Sequence, residues 1–373
     1  MAGGESGGNM KLAVIKEKFL AGLQMVNGVV SARSTLPILS NTLLQAEKGK
    51  LWLTATDLEV TARCSVEAEV GKTGATTLPA KRLFNIIREL PANEVELEID
   101  DKDVASITCG QSFFKIVGLS EEEFPPLPKF DGGFSYAIDQ GALKEMLRKT
   151  SYAASTDETR YILNGNLLSF RGDKLSVVAT DGRRLALVEH ELEFPKEAEA
   201  EMIVPSKAVN ELLHALRDEG PMKIQTTKNQ VAFQFGDVLL ISKLIDGTFP
   251  NFKQVIPSQC EQRVAIEREG LLTALRRVSL LASDKSNSIK LTFNKNKLMI
   301  SAVTPDVGEA HESLPIKYAG KEISVAFNPD FVMDPLKNLA CDEIFVELTD
   351  DLSPGVIKCD VPFIYVLMPM RVG

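Results

Sequence analysis

The chain has 373 residues, 44% of them hydrophobic and 25% charged, which predicts a soluble globular protein of two or three domains. No apolar run approaches the roughly 20 residues needed to cross a bilayer, so no membrane span is expected. Net charge is −9, which argues against a protein that grips nucleic acid by neutralising its phosphates.

Residues 1–9 are Gly-rich and lack the apolar stretch of a signal peptide; a disordered tail is expected, with the folded chain starting near Met10. Segment 15–30 reads as an amphipathic helix with Phe19 and Leu23 turned inward. Leu53-Thr-Ala-Thr-Asp-Leu-Glu-Val60 follows, and Val60, Ala62, Cys64, Val66, Ala68 and Val70 alternate with polar residues, predicting one strand with a wet face. Thr77-Leu-Pro-Ala-Lys-Arg-Leu-Phe84 leads into a helix over 79–91. There Leu83, Ile86, Ile87 and Leu90 form a stripe, and Pro79 suits a first turn. Phe124-Pro-Pro-Leu-Pro128 closes the unit.

The same succession then returns twice. Helix 139–154 carries Leu143 and Leu147, followed by Val177-Val-Ala-Thr-Asp-Gly-Arg-Arg184. Ile203-Val-Pro-Ser-Lys-Ala-Val209 opens helix 205–217, with Val209, Leu212, Leu213 and Leu216 as its stripe, and Phe249-Pro-Asn-Phe252 closes the unit. Helix 266–282 carries Leu271 and Leu275, Ile300-Ser-Ala-Val-Thr-Pro-Asp-Val307 echoes the strand, and Ala326-Phe-Asn-Pro-Asp-Phe331 opens helix 329–339. The threonines of the repeated strand are Thr56, Thr180 and Thr304, two steps of 124 residues. Ordered anchors at one spacing predict three homologous α+β domains over 10–130, 131–257 and 258–373, each with two helices and antiparallel sheets.

Enzymatic motifs are missing where they would be needed. Gly71-Lys-Thr73 lacks the earlier glycine of a phosphate-binding loop and reads as a turn between strands. His190, His214 and His311 form no metal-ligand spacing, and Asp57 and Asp181 read as turn formers that bond nearby backbone N–H groups. Cys64, Cys109, Cys260, Cys341 and Cys359 are odd in number and scattered, which suits reduced thiols in a cytoplasmic protein. No cofactor, metal or catalytic residue is expected. A nuclease of duplicated domains and a tandem-repeat protein without a DNA role remain as other classes; the first would need a metal-ligand cluster.

Charge is segregated along the chain. The six predicted helices sum to +5, so against the total of −9 the remainder carries −14. Lys81, Arg82, Arg88, Arg148, Lys149, Lys207, Arg217, Arg276 and Arg277 all lie on helices with an apolar opposite face. Lysine and arginine favour helices in general, and the segregation also suits a weakly positive surface set in an acidic molecule.

Thr35-Leu-Pro-Ile-Leu-Ser-Asn41, Ala179-Thr-Asp-Gly-Arg-Arg-Leu185, Leu244-Ile-Asp-Gly-Thr-Phe-Pro-Asn251 and Tyr365-Val-Leu-Met-Pro-Met-Arg371 closely resemble the β subunit family of bacterial DNA polymerase III, in order and over Met10 to Val372. The resemblance implies three tandem copies of the DNA-clamp domain forming half of a closed ring, completed by a second chain head to tail. It implies a non-catalytic processivity factor that encircles duplex DNA without reading sequence. It also implies tethering of the DNA polymerase III core, the clamp loader, and other polymerases and repair proteins that carry clamp-binding peptides.

By the same resemblance the homodimer contact falls on Phe114 and Ile116 against Leu280 and Leu281. On residue type alone, all four also read as internal core. DNA contact falls on Arg33, Arg160, Tyr161 and Lys207, with Lys81 and Arg82 added from the helix face; Ile162 departs from the tyrosine-rich pattern of some relatives. The partner-peptide pocket is implied at Leu163, Thr180, Gly182, Arg183, Arg184, Leu185, Pro250, Val255, Val366, Met368, Pro369, Met370 and Arg371. Leucine, valine and methionine make an adaptable apolar groove, although Met-Pro-Met alone also reads as the end of a buried strand. Arg183 stands where relatives commonly carry histidine, which implies a more basic rim.

Overall fold

The computed structural model describes residues 10–30, 36–91, 93–130, 133–282, 287–305 and 307–371. Among them are six α-helices, two in each repeat: Lys16–Asn27, Ala80–Glu89, Gln140–Arg148, Ser206–Ala215, Arg268–Val278 and Pro329–Asn338. None of the described helices is long and apolar enough to cross a membrane.

Two compact units emerge, and they do not follow the repeats. One comprises 1–141 with 210–244, the other 142–209 with 245–373. The central repeat is therefore divided, because its strands hydrogen-bond into sheets begun by its neighbours.

In the first unit, strand Val238–Lys243 of the central repeat pairs antiparallel with Val60–Glu67 of the first, in the register Leu240↔Ala62. The result is one eight-stranded sheet, ordered Phe134–Asp139, Pro221–Thr226, Gln230–Phe235, Val238–Lys243, Val60–Glu67, Lys50–Thr56, Asn41–Glu47 and Gly74–Pro79. Beside it lies a five-stranded sheet, in the order Glu69–Lys72, Met10–Ile15, Glu94–Ile99, Val104–Cys109 and Ser112–Val117.

The long alternation over 60–70 is divided at Ala68, and its two halves enter different sheets. Ala68 itself donates its N–H to the Gly49 carbonyl. Gly71-Lys-Thr73 lies where strand Glu69–Lys72 gives way to Gly74–Pro79, in the manner of a strand connection. Helix Ala80–Glu89 buries Leu83 and Ile87 and leaves Lys81, Arg82 and Arg88 exposed, the division expected of an apolar stripe.

In the second unit, strand Arg184–Glu191 of the central repeat pairs with Phe363–Leu367 of the third, in the register Leu185↔Val366. It creates another eight-stranded sheet, ordered Ala200–Pro205, Gly165–Phe170, Lys174–Thr180, Arg184–Glu191, Phe363–Leu367, Gly355–Lys358, Glu343–Leu348 and Gln262–Glu267. A four-stranded sheet runs Gly308–Pro315, Lys297–Thr304, Ile289–Asn294 and Ile323–Phe327. Helix starts are satisfied by side chains: Asn328 accepts from the Asp330 and Phe331 amides, and Glu267 from Glu269 and Gly270.

Candidate functional site

The turn Thr180–Arg184 is built by two side chains. Asp181 Oδ1 accepts from the amides of Arg183 at 2.8 Å and Arg184 at 3.0 Å, and Thr180 Oγ1 accepts from Gly182 at 3.1 Å. Gly182 sits at φ +84°, a region costly for residues with a Cβ. Asp181 thus acts as the turn former its position predicts.

Beyond the turn, an apolar cluster gathers Leu167, Val178, Leu185, Leu187, Ile203, Phe249 and Val366, with Ile162, Leu163, Ile245, Phe252, Ile256 and Ile364 half-buried against it. Of the residues implied for a peptide pocket, Leu163, Leu185 and Val366 belong to this cluster, and Thr180, Gly182 and Arg183 form the turn beside it. Met368 donates its N–H to the Arg183 carbonyl at 2.9 Å, which brings the C-terminal segment alongside the turn. Pro250 is exposed next to the buried Phe249, and Val255 is exposed at the end of the short helix Phe252–Val255. Met368 and Arg371 are exposed, while Pro369 and Met370 are half-buried. Val178, Leu187, Ile203, Phe249, Ile245, Phe252 and Ile256 were missed. For Phe249 and Phe252 the signal was present, because they are the repeated Phe-Pro anchor.

Arg184 faces the other way. Side chains alternate across a strand, and Leu185 and Leu187 point into the cluster, so Arg184 points to the opposite face of the sheet. Its side chain is only 10% exposed. Its Nε donates to Asp181 Oδ2 at 3.1 Å, Nη1 to Asp334 Oδ2 at 2.6 Å, and Nη2 to the Tyr152 carbonyl at 2.6 Å. The guanidinium stacks 4.2 Å from the centre of the Phe331 ring. Burial opposes its charge, but Tyr365, Asp334 and Asp181 outweigh burial and hold its proton more tightly than usual. Burial likewise keeps the Tyr365 and Tyr152 hydroxyls protonated well above their ordinary range.

The other candidates fall elsewhere. Arg160 donates from Nη1 to the Asp181 carbonyl at 3.0 Å, so it braces the same turn, and Tyr161 beside it is 57% exposed. Lys207 is half-buried in the first turn of Ser206–Ala215. Lys81 and Arg82 line a concavity of ≈ 860 Å³ shared with Asn27, Ser40 and Phe84. Arg33 lies outside the described residues. Phe114 and Ile116 occupy strand Ser112–Val117, an outer strand of the five-stranded sheet; Phe114 is 39% exposed, whereas Ile116 is buried in its own unit. Leu280 is 80% exposed and Leu281 half-buried, next to strands Lys297–Thr304 and Gly308–Pro315. Exposed Phe113, Val117, Val303 and Val307 were missed. Among the described residues no three His, Cys, Asp or Glu side chains are grouped so as to hold a metal ion.

Three tandem helix-and-sheet repeats that share sheets across their boundaries place the molecule in the DNA-clamp class. Family models for the DNA polymerase III beta subunit match the N-terminal domain at 10–128, the central domain at 137–251 and the C-terminal domain at 253–371. The chain belongs to this DNA polymerase III beta subunit family, the sliding clamps, which are non-catalytic processivity factors. It is 34% identical to the beta sliding clamp of Escherichia coli K12, over 97% of this chain and 100% of that one. With the beta sliding clamp of Chlamydia trachomatis it shares 33% identity, over 97% of this chain and 87% of that one. A sliding clamp from Bartonella birtlesii, solved bound to griselimycin, superposes with a TM-score of 0.93 at 35% identity, covering 98% of this chain and 100% of that one.

Proposed function

We propose that two copies of this clamp join head to tail around duplex DNA, and that the apolar cluster beside the Thr180–Arg184 turn receives peptides from partner proteins. One observation carries the reading. Within the chain, each repeat boundary is closed by a continuous eight-stranded sheet, whereas the five- and four-stranded sheets end on Ser112–Val117 and Gly308–Pro315. These edges pair with no further strand among the described residues. An edge of this kind is a template for another chain. Phe114 lies on the same face as Ile116, pairing with the buried Ile107, so the core of that sheet stops half-covered at its rim.

Pairing Ser112–Val117 of one copy with Gly308–Pro315 of the other would continue the ladder and cover Phe114 with Leu280 and Leu281. Two identical junctions close the pair. Helices bearing Lys81, Arg82 and Lys207, with Arg160 and Tyr161, face the enclosed DNA and meet its phosphates loosely. The overall charge of −9 keeps the rest of the molecule from adhering to it. The DNA polymerase III core, the clamp loader, and other polymerases and repair proteins dock through Gln-, Leu- and Phe-containing peptides, in the cytoplasm where the DNA is.

The test is loading onto nicked circular DNA with the matching clamp loader and ATP, then cutting the circle. The clamp is expected to stay on the circle and to run off once an end exists. Retention on linear DNA with steep salt dependence would overturn the reading.

A further inference from the structure

All five cysteines carry free thiols, but their surroundings differ. Cys64 and Cys109 are buried in the first repeat and donate to the Gly22 and Pro91 carbonyls. Cys260 lies among Glu347, Lys358 and Thr349. Cys341 and Cys359 meet each other: their side chains come within hydrogen-bonding reach, and both are half-buried, open to a small reagent.

Strand pairing brings these two together, which is why no CxxC spacing announces them. Glu343–Leu348 pairs antiparallel with Gly355–Lys358, in the register Phe345↔Lys358. Cys341 lies just before the first strand and Cys359 just after the second, so both leave the ladder at the same end. Both segments are anchored there. The Arg268 side chain donates to the carbonyls of Cys341 at 2.7 Å and Leu336 at 2.9 Å, and its backbone N–H to Asp342 at 2.8 Å. On the other side, Lys358 donates to Glu347 at 2.7 Å, and the Pro362 carbonyl accepts from the Glu189 amide of the central repeat at 3.3 Å. A disulfide forms readily where two sulfurs already face each other and neither backbone has to travel.

We propose that Cys341 and Cys359 form a reversible disulfide by exchange with a small-molecule disulfide of the glutathione type, and that the bond restrains the loop leading into strand Phe363–Leu367. Cys359 loses its proton and attacks one glutathione sulfur; the glutathione S–S bond breaks, and one glutathione leaves as thiolate and is protonated. Cys341 then loses its proton, attacks Cys359 Sγ and expels the second glutathione, which is protonated in turn. Two protein thiols are oxidised by two electrons, and one glutathione disulfide is reduced to two thiols. Burial first, and the neighbouring Cys359 second, push the Cys341 thiol above its ordinary range. Cys341 therefore suits the second step, once the mixed disulfide has removed the Cys359 charge. The new bond ties the segment after helix Pro329–Asn338 to the strand that the third repeat lends to the shared sheet. In a reducing compartment such a bond is transient, a response to oxidation and not a scaffold.

The test treats the reduced full-length protein with oxidised glutathione at neutral pH. Intact mass is expected to fall by two hydrogens with no glutathione retained, proteolytic mapping should show Cys341 joined to Cys359, and dithiothreitol should reverse both. Cys341→Ser should instead hold one glutathione on Cys359, because no second thiol is left to expel it. In the oxidised protein the Glu189 amide should exchange about tenfold more slowly, since closing a loop makes local opening rarer. Glutathione retained on the unaltered chain, a disulfide that includes Cys260, or five thiols left unchanged would overturn the pair. A Cys341–Cys359 bond with Glu189 exchange unaltered would overturn the restraint.

Discussion

The two boundaries between repeats are made on one backbone plan and finished with different side chains. At the first, Lys243 donates its N–H to the Glu59 carbonyl at 2.9 Å; at the second, Met368 donates to Arg183 at the same distance. Around this shared frame, the first boundary has Leu58 at φ +75° where the second has Gly182 at φ +84°, and Val60 where the second has Arg184. Within the first repeat Ile38 and Leu39 are buried with Phe124, while in the second Ile162 and Leu163 remain half-buried near Phe249. At the first boundary the ion pairs Lys50–Asp237 and Lys243–Glu59 lie outside in solvent. The second keeps its ion pair inside and its apolar surface partly open. Identical backbone bonding thus leaves side chains free to finish one boundary in solvent-exposed ion pairs and the other with a buried ion pair beside a partly open apolar cluster.

The largest effect is expected at a third kind of boundary, the one between copies. Phe114→Asp should weaken the dimer by at least about a hundredfold, the loss typical of a central interface anchor, and sedimentation velocity would show monomer. A dimer of unchanged affinity would remove the edge strand from the contact. Next comes Arg184→Met, which leaves Asp334 with only its more exposed Lys337 partner and removes the fork that also holds Asp181, and is expected to cost about 2 kcal/mol of stability. The matching change at the first boundary, Glu59→Gln, should cost less than about 0.5 kcal/mol because that pair is solvated. Urea midpoints of both variants would check the contrast, and equal losses would break it.

The two left-handed positions sharpen the comparison further. Gly182→Ala should destabilise by about 1 kcal/mol, whereas Leu58→Gly should be neutral or stabilising by a similar amount, since it relieves a strained φ. The smallest effect is a pH dependence at the first boundary. The Lys50 ammonium and the Ser65 hydroxyl hold the Asp237 carboxyl below the usual carboxylate range. A depressed folded pKa contributes stability above the unfolded value and loses it as pH falls through the folded one. After solvent screening this amounts to a few tenths of a kcal/mol, and Asp237→Asn should abolish it in acid-side thermal melts.

Much of this was legible because the chain repeats its anchors. Thr56, Asp57, Thr180 and Asp181 recur for a reason now visible: their side chains, not only their backbones, make the turns. Helix positions followed the apolar stripes, but the stripes ran past the hydrogen-bonded ends, as at 15–30 against the observed Lys16–Asn27. Strand parity also made readable that Arg184 lies on the face opposite Leu185 and Leu187. Ile116 and Phe114 share a face too, and only the position of their strand at the rim of a sheet separates buried from half-covered. Sequence periodicity holds no record of where a sheet ends.

Shared sheets also decide where such a molecule can come apart. Prising two repeats of one chain from each other means shearing four paired residues at the first boundary, or five at the second, in a single cooperative step. Loop flexibility offers no relief, because the load falls on backbone rungs acting side by side. Any gate for admitting a DNA strand therefore belongs where polypeptides meet rather than inside one of them.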